Sequence, residues 1–336
     1  MPPHTKSPRA ARATAWAAVA LTGSVALAAC GSDPGEEDDG KLSVGVFLPG
    51  SVTDTGFMQS AHAGVERIRE ERSGEVDISF VEEVEAPDYE LVLTRLAGES
   101  ELVVSVGGQT DSDVRAVAAA NPGVTFVEIG GPADAEPMDN LAYYDPRQPE
   151  GEYLSGVVAA LVSETGRIGF IGGAELPEIV NAAHAFENGA RSVDPDVEVV
   201  QPQFMGDFND PAKAMQAAAA NYGVGVDVLS QILNLGKSGL EQAAEEADAH
   251  VIGGPVAADC GEGSPYAGYV LTDIGTQIEY AIDAVLTDTW EAAQTPFGLT
   301  TDREGTDFVL CSDDPELAEA LESAVADLAS GAVEPY

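Results

Sequence analysis

From Lys41 onward, short β-branched runs alternate with stretches whose apolar residues recur at helical spacing, the pattern of parallel sheets covered by helices. Leu42 to Leu48 reads as a first strand, Phe57 to Arg72 as a helix and Asp77 to Val81 as a second strand. A helix near Asp88 to Leu96, a strand from Leu102 to Val106 and a helix from about Ser112 follow. Asn121-Pro122-Gly123 breaks that helix before a strand from Val124 to Ile129.

The order then begins again. Helices are expected at Glu150 to Val162, Ile179 to Ser192, from Pro211, and at Ser238 to Ala247. Strands are expected at Arg167 to Ile171, Val197 to Val200, Asp227 to Ile232 and His250 to Ile252. A strand at Tyr269 to Thr272, a helix from Gly275 to about Ala293 and a last helix from Pro315 to about Ser330 complete the pattern. Two runs of one kind predict two doubly wound α/β lobes: residues 42–147, completed by about 275–336, and residues 148–274. Ligands in such sheets sit beyond the carboxyl ends of the strands, so two facing lobes define one cleft and a hinge.

The first residues follow another logic. Lys6, Arg9 and Arg12 precede a mostly apolar run from Ala13 to Ala29, as in a secretory signal, and the run is too short and Ala-rich for a lasting membrane span. It ends in Leu27-Ala28-Ala29-Cys30-Gly31, a bacterial lipobox pattern in which the Cys30 thiol receives a lipid. Residues 1–29 are thus expected to be the signal, and residues 30–41 the lipidated cysteine and a flexible tether without large apolar side chains. The expected location is the outer face of the cell membrane.

An exported chain lives where disulfides persist. With Cys30 lipidated, parity favours a Cys260–Cys311 disulfide over two separate buried thiols. No cysteine or histidine pattern suggests a metal, and no cofactor is expected. The formal charge is −43, which repels nucleic acid and anionic lipid and otherwise reads as a solvated acidic surface. Nucleophile-elbow, phosphate-loop and zinc-protease motifs are absent, and His4, His62, His184 and His250 are scattered. Pro49 to Gly56 lacks the spacing of a dinucleotide site. The residues therefore favour a binding protein over an enzyme.

Four blocks carry a resemblance: Asp54-Thr55-Gly56-Phe57-Met58-Gln59-Ser60-Ala61, Asn121 to Phe126, Glu150 to Gly156 running on to Gly166 to Gly173, and Gly206-Asp207-Phe208-Asn209-Asp210-Pro211-Ala212-Lys213. In this order they resemble the basic membrane protein family, the purine-nucleoside-receptor-like lipoproteins of bacterial ABC importers. The resemblance implies a type I periplasmic-binding-protein fold, a monomer that hands a small ligand to an ABC permease, and an aromatic clamp. The clamp falls on Phe57 and Phe208, which as residues alone also read as core phenylalanines. The family's polar positions fall on Leu48, Met58, Pro255 and Thr276, so its nucleoside contacts are largely replaced. Gln59, Gln109, Asp111 and Asn234 remain as polar candidates, with loop solvation or helix capping as the alternative. A pocket of Leu48, Met58, Phe57 and Phe208 suits a flat, less hydroxylated ligand than a nucleoside. The expected role is import, with ligand sensing by a surface lipoprotein of the same fold as the alternative.

Overall fold

The computed structural model describes residues 40–303 and 305–336. The expected signal, the lipidated Cys30 and all but the last two residues of the tether lie outside them. The first lobe begins with β1 (Leu42–Phe47), α1 (Phe57–Glu71), β2 (Val76–Val81), α2 (Tyr89–Glu99), β3 (Leu102–Val106), α3 (Asp111–Ala120), β4 (Thr125–Ile129) and β5 (Leu141–Asp145). The second lobe follows with α4 (Gln148–Val162), β6 (Arg167–Gly172), α5 (Pro177–Val193), β7 (Glu198–Val199), β8 (Gln203–Phe204), α6 (Pro211–Gly223), β9 (Val228–Ile232), α7 (Lys237–Ala247), β10 (His250–Gly253) and β11 (Tyr266–Thr272). The chain then forms α8 (Ile274–Leu286), β12 (Gln294–Pro296), β13 (Thr306–Leu310) and α9 (Pro315–Ala329).

The first sheet runs β12-β5-β4-β3-β1-β2 with all pairs parallel. The second runs β13-β11-β10-β9-β6-β7, with β8 also on β6 and only β13 antiparallel. Strands buried on both faces need continuous apolar runs, and β3 supplies one, Leu-Val-Val-Ser-Val, wholly buried. Each sheet has a core on either face. In the first lobe Val44, Val46, Val65, Ile278 and Ile282 pack on one side, and Phe47, Leu93, Leu96, Val114 and Phe126 on the other. In the second, Phe170, Phe186 and Leu154 oppose Leu229, Leu240 and Val251 across the sheet.

The C-terminal expectation needs correcting. Helix α8 and strand β12 do join the first lobe, but the helix stops at Leu286 rather than near Ala293. Asp288 there takes a left-handed backbone, φ 56°, and the Trp290 N–H turns back to the Ala284 carbonyl. Strand β13 then pairs with β11, and α9 sets Ala324 and Leu328 into the second lobe's core. The chain thus passes between lobes at Asp145–Gln148, Thr272–Ile274 and Pro296–Thr306. These passes are tied together: Glu150, fully buried, accepts from Arg147 Nε at 2.7 Å and from the Thr300 N–H at 3.1 Å. The Thr306 hydroxyl donates to the Pro146 carbonyl, and the Asp273 N–H to that of Gly305 at 2.9 Å. Cys260 and Cys311 are joined, their Cα atoms 5.0 Å apart, linking the β10–β11 loop to the residue after β13.

Candidate functional site

In both sheets the strand order reverses beside the first strand of the lobe, between β1 and β3 and between β6 and β9. The loops leaving those strand ends diverge and leave a crevice. Both crevices face each other.

On the first lobe the β1–α1 loop is held by Asp54, which is 1% exposed. Its carboxylate accepts the N–H groups of Gly56 at 2.7 Å, Met58 at 3.2 Å and Gln59 at 3.1 Å, so it occupies the orphan donors of α1 from outside the helix. Burial pushes its pKa up, against the pull of those three bonds and of Lys237. The anchored turn places Phe57 at the helix start, its ring against Gly130 at the end of β4, where a Cβ would lie 3.4 Å from a ring carbon. The β3–α3 loop adds Gly107, Gly108 and Gln109.

On the second lobe Gly206, at φ 73°, turns the chain after β8, and the Asp207 N–H bonds the Gly173 carbonyl at 2.8 Å. The Phe208 ring then lies on Gly173, where a Cβ would fall 2.1 Å from a ring carbon. The Phe208 carbonyl accepts from the Asn234 and Gly236 N–H groups, both at 3.0 Å, which fixes the β9–α7 loop to the clamp residue.

The lobes touch across the crevice. Lys237 Nζ donates to the Thr55 carbonyl at 2.7 Å, and a Cβ on Gly56 would meet Asn234 Oδ1 at 2.1 Å. Burial lowers the Lys237 pKa, with Glu241 and Asp54 opposing. The space left between these residues is about 80 Å³ and partly open to solvent, smaller than the usual small-molecule site.

Five of the sequence candidates line this space: Phe57, Met58, Gln109, Phe208 and Asn234. Three do not. Leu48 is fully buried in the first lobe's core and continues the Val44–Val46 row, so no ligand reaches it. Gln59 turns back and accepts the Thr55 N–H at 3.2 Å. Asp111 accepts the Tyr143 hydroxyl at 2.7 Å, and Arg115 donates to that hydroxyl at 2.7 Å. Pro255 follows a cis peptide bond, and the Thr276 N–H caps onto Asp273 at 3.2 Å; neither lines the space.

Sequence reasoning missed Gln148, Leu176, Glu178, Ile179 and Ile232, which the second lobe and the first crossing bring to the same wall. A signal was available for Glu178: Pro177 opens a helix shortly after the end of β6, and ligands in such sheets sit beyond strand ends. Burial pushes the Glu178 carboxyl above its ordinary value, and Asp145 pushes it further. Behind the β3–α3 loop lies Glu128, whose pKa burial pushes up to about 9 and whose Oε1 accepts the Thr110 hydroxyl at 3.3 Å. The site thus combines two aromatic faces, an apolar floor, three amides and one carboxyl, groups that can stack on a ring and exchange hydrogen bonds with it.

Comparison with known proteins agrees with this architecture. A family model described as ABC transporter substrate-binding protein, PnrA-like, matches residues 41–322. Basic membrane protein A2 of Borrelia garinii is 32% identical over 218 residues, 64% of this chain and 63% of its own. A purine-binding protein of Brucella abortus is 34% identical over 194 residues, 57% of this chain and 54% of its own. The nucleoside-binding protein BmpA of Lactococcus lactis is 30% identical over 229 residues, 66% and 64% of the two chains. The chain therefore spans less than two thirds of the length of these relatives. An Aeropyrum pernix ABC solute-binding protein superposes with a TM-score of 0.77 at 22% identity, covering 87% of this chain and 92% of its own, which shows the type I binding-protein fold with two Rossmann-like lobes. With the family model spanning nearly all of the described residues, the chain belongs to the PnrA-like family of ABC transporter substrate-binding proteins.

Proposed function

We propose that the protein captures a nucleoside or a related planar heterocycle between Phe57 and Phe208 and delivers it to an ABC permease for import. The observation that carries this reading is the pair of aromatic side chains, one from each lobe, at the two strand-order reversals and lining one space. A planar ring between them gains stacking of about 1–3 kcal/mol per ring by analogy with base stacking elsewhere. Names of relatives that bind purines and nucleosides support the ligand class. In this reading the ligand bridges the lobes and shifts the population towards the closed form, which docks on the permease. The lipobox at Cys30 keeps the monomer at the outer membrane face within reach of it.

The test is calorimetric titration of the full chain with purine and pyrimidine nucleosides and free bases, alongside Phe57→Ala and Phe208→Ala. Binding that each substitution weakens by about ten-fold or more is expected. Failure of every nucleoside and base to bind would remove the ligand assignment.

A further inference from the structure

The cleft contains no Lys, Arg or His among its lining residues, and its one ionisable group is Glu178. This carboxyl stands in the first turn of α5 and reaches across to the first lobe, where a methyl group on Gly108 would sit 2.9 Å from Glu178 Oε1 and 2.7 Å from the Gly130 carbonyl. Gly108 therefore makes room for it. The cations nearby are engaged elsewhere: Arg147 donates to Glu150 at 2.7 Å, and Lys237 to the Thr55 carbonyl at 2.7 Å. Among the described residues Glu178 makes no ion pair, and no side-chain hydrogen bond to another residue. Its neighbour in the space towards the crossing is a second acid, Asp145.

A partly desolvated carboxylate beside another acid costs free energy unless something supplies positive charge or a donor. Apart from Glu178's own backbone N–H, no group in the two lobes does so, which leaves the ligand. We infer that Glu178 is a specificity-determining residue, accepting an amino N–H or facing a cationic ring of the bound heterocycle, and that ligands presenting an acceptor or a negative charge there are rejected. The inference rests on the function proposed above and narrows it. Phosphorylated ligands are excluded by the same chemistry, since the cleft offers a phosphate no cation and the −43 formal charge repels it during approach. A hydrogen bond to a charged acceptor contributes enough to give about ten- to a hundred-fold discrimination.

Isothermal titration of the full chain in detergent, as wild type and as Glu178→Gln, tests this with four probes. They are adenosine, inosine, an adenosine methylated on a ring nitrogen and therefore cationic, and dideoxyadenosine, which lacks the ribose diol. The wild type should bind adenosine and the methylated cation at least about ten-fold tighter than inosine, and dideoxyadenosine as well as adenosine. In Glu178→Gln, whose amide can either donate or accept, the preference should collapse to within about three-fold. A preference that survives the substitution, or inosine bound as tightly as adenosine by the wild type, overturns the inference and leaves nucleoside binding standing. So does a loss with dideoxyadenosine equal to that of the substitution, because the carboxylate then reads the ribose. No binding of any probe removes the proposed function, and the inference with it.

Discussion

Replacing Lys237 with Met removes the ammonium that joins the second lobe to the Thr55 carbonyl while keeping most of the apolar stem. The acceptor is backbone, so Lys237 is the only handle on this contact. A hydrogen bond from a charged donor contributes about 1.5–3 kcal/mol, but this one is formed by a desolvated ammonium whose pKa burial lowers, and part of the gain is lost. A net contribution of about 1 kcal/mol to closure corresponds to a shift of about five-fold in the open–closed equilibrium. Where the open form dominates without ligand, the apparent dissociation constant rises by the same factor. The fold should survive: Asp54 keeps its three backbone donors, and Glu241 keeps the Tyr266 hydroxyl. Titration calorimetry with the best ligand of the nucleoside panel reads the affinity, and small-angle scattering reads the compaction on saturation. The expected result is weaker binding by about five-fold with the same final compaction. An affinity within about two-fold of wild type, or a tighter one, would refute the view that this bond stabilises the closed lobes.

Two further outcomes follow from groups away from the cleft. Burial pushes Glu152 up to about 8 from 4.5, although Ser230 Oγ donates to it at 2.8 Å, so the folded chain holds a proton that the unfolded chain releases between those values. Stability from this group is complete below pH 4.5 and is lost as pH rises to about 8, at about 1.4 kcal/mol per pH unit. Glu128 acts in the same sense, as do Asp54, Asp145 and Glu178, so Glu152→Gln should make the fall in melting temperature with pH shallower, and an unchanged slope would count against the assignment. Replacing Cys260 and Cys311 with Ser opens a loop of 51 residues and should cost about 4 kcal/mol in denaturant unfolding. Ligand affinity should hold, because both cysteines lie outside the cleft lining; free-thiol labelling of the unreduced, unfolded parent should find neither reactive.

The element order was legible wherever burial is local. Strand β3 announces itself as an apolar run interrupted only by Ser105, and α1 by the spacing of Ala61, Val65 and Ile68. Strand β5 was not legible, because Leu141-Ala142-Tyr143-Tyr144 becomes a strand only by lying between β4 and β12, the latter far away in sequence. Missing β5 also hid why Asp111 leaves the site, since its partner Tyr143 stands on that strand. Leu48 could have been excluded from parity alone: side chains alternate along β1, and the even positions Val44 and Val46 belong to the same core face. Phe57 and Phe208 were placed by the resemblance to the basic membrane protein family. Glu178 lies just past a strand end, where ligands sit in such sheets, but its isolation appears only when the lobes meet, since no local pattern reports which charges a carboxyl will lack.

The three passes between the lobes mean that neither lobe is a continuous piece of chain. No single cut releases one lobe intact, and no contiguous segment can be exchanged with a relative to transplant half of the cleft. Ending the chain before β13 would strip the second sheet of an edge strand, expose the apolar face beneath α9 and remove Cys311 from its partner. Mechanically, three side-by-side connections resist twisting of one lobe about the other while permitting a bend. In the proposed closure the lobes are therefore guided to bring Phe57 and Phe208 into the same alignment.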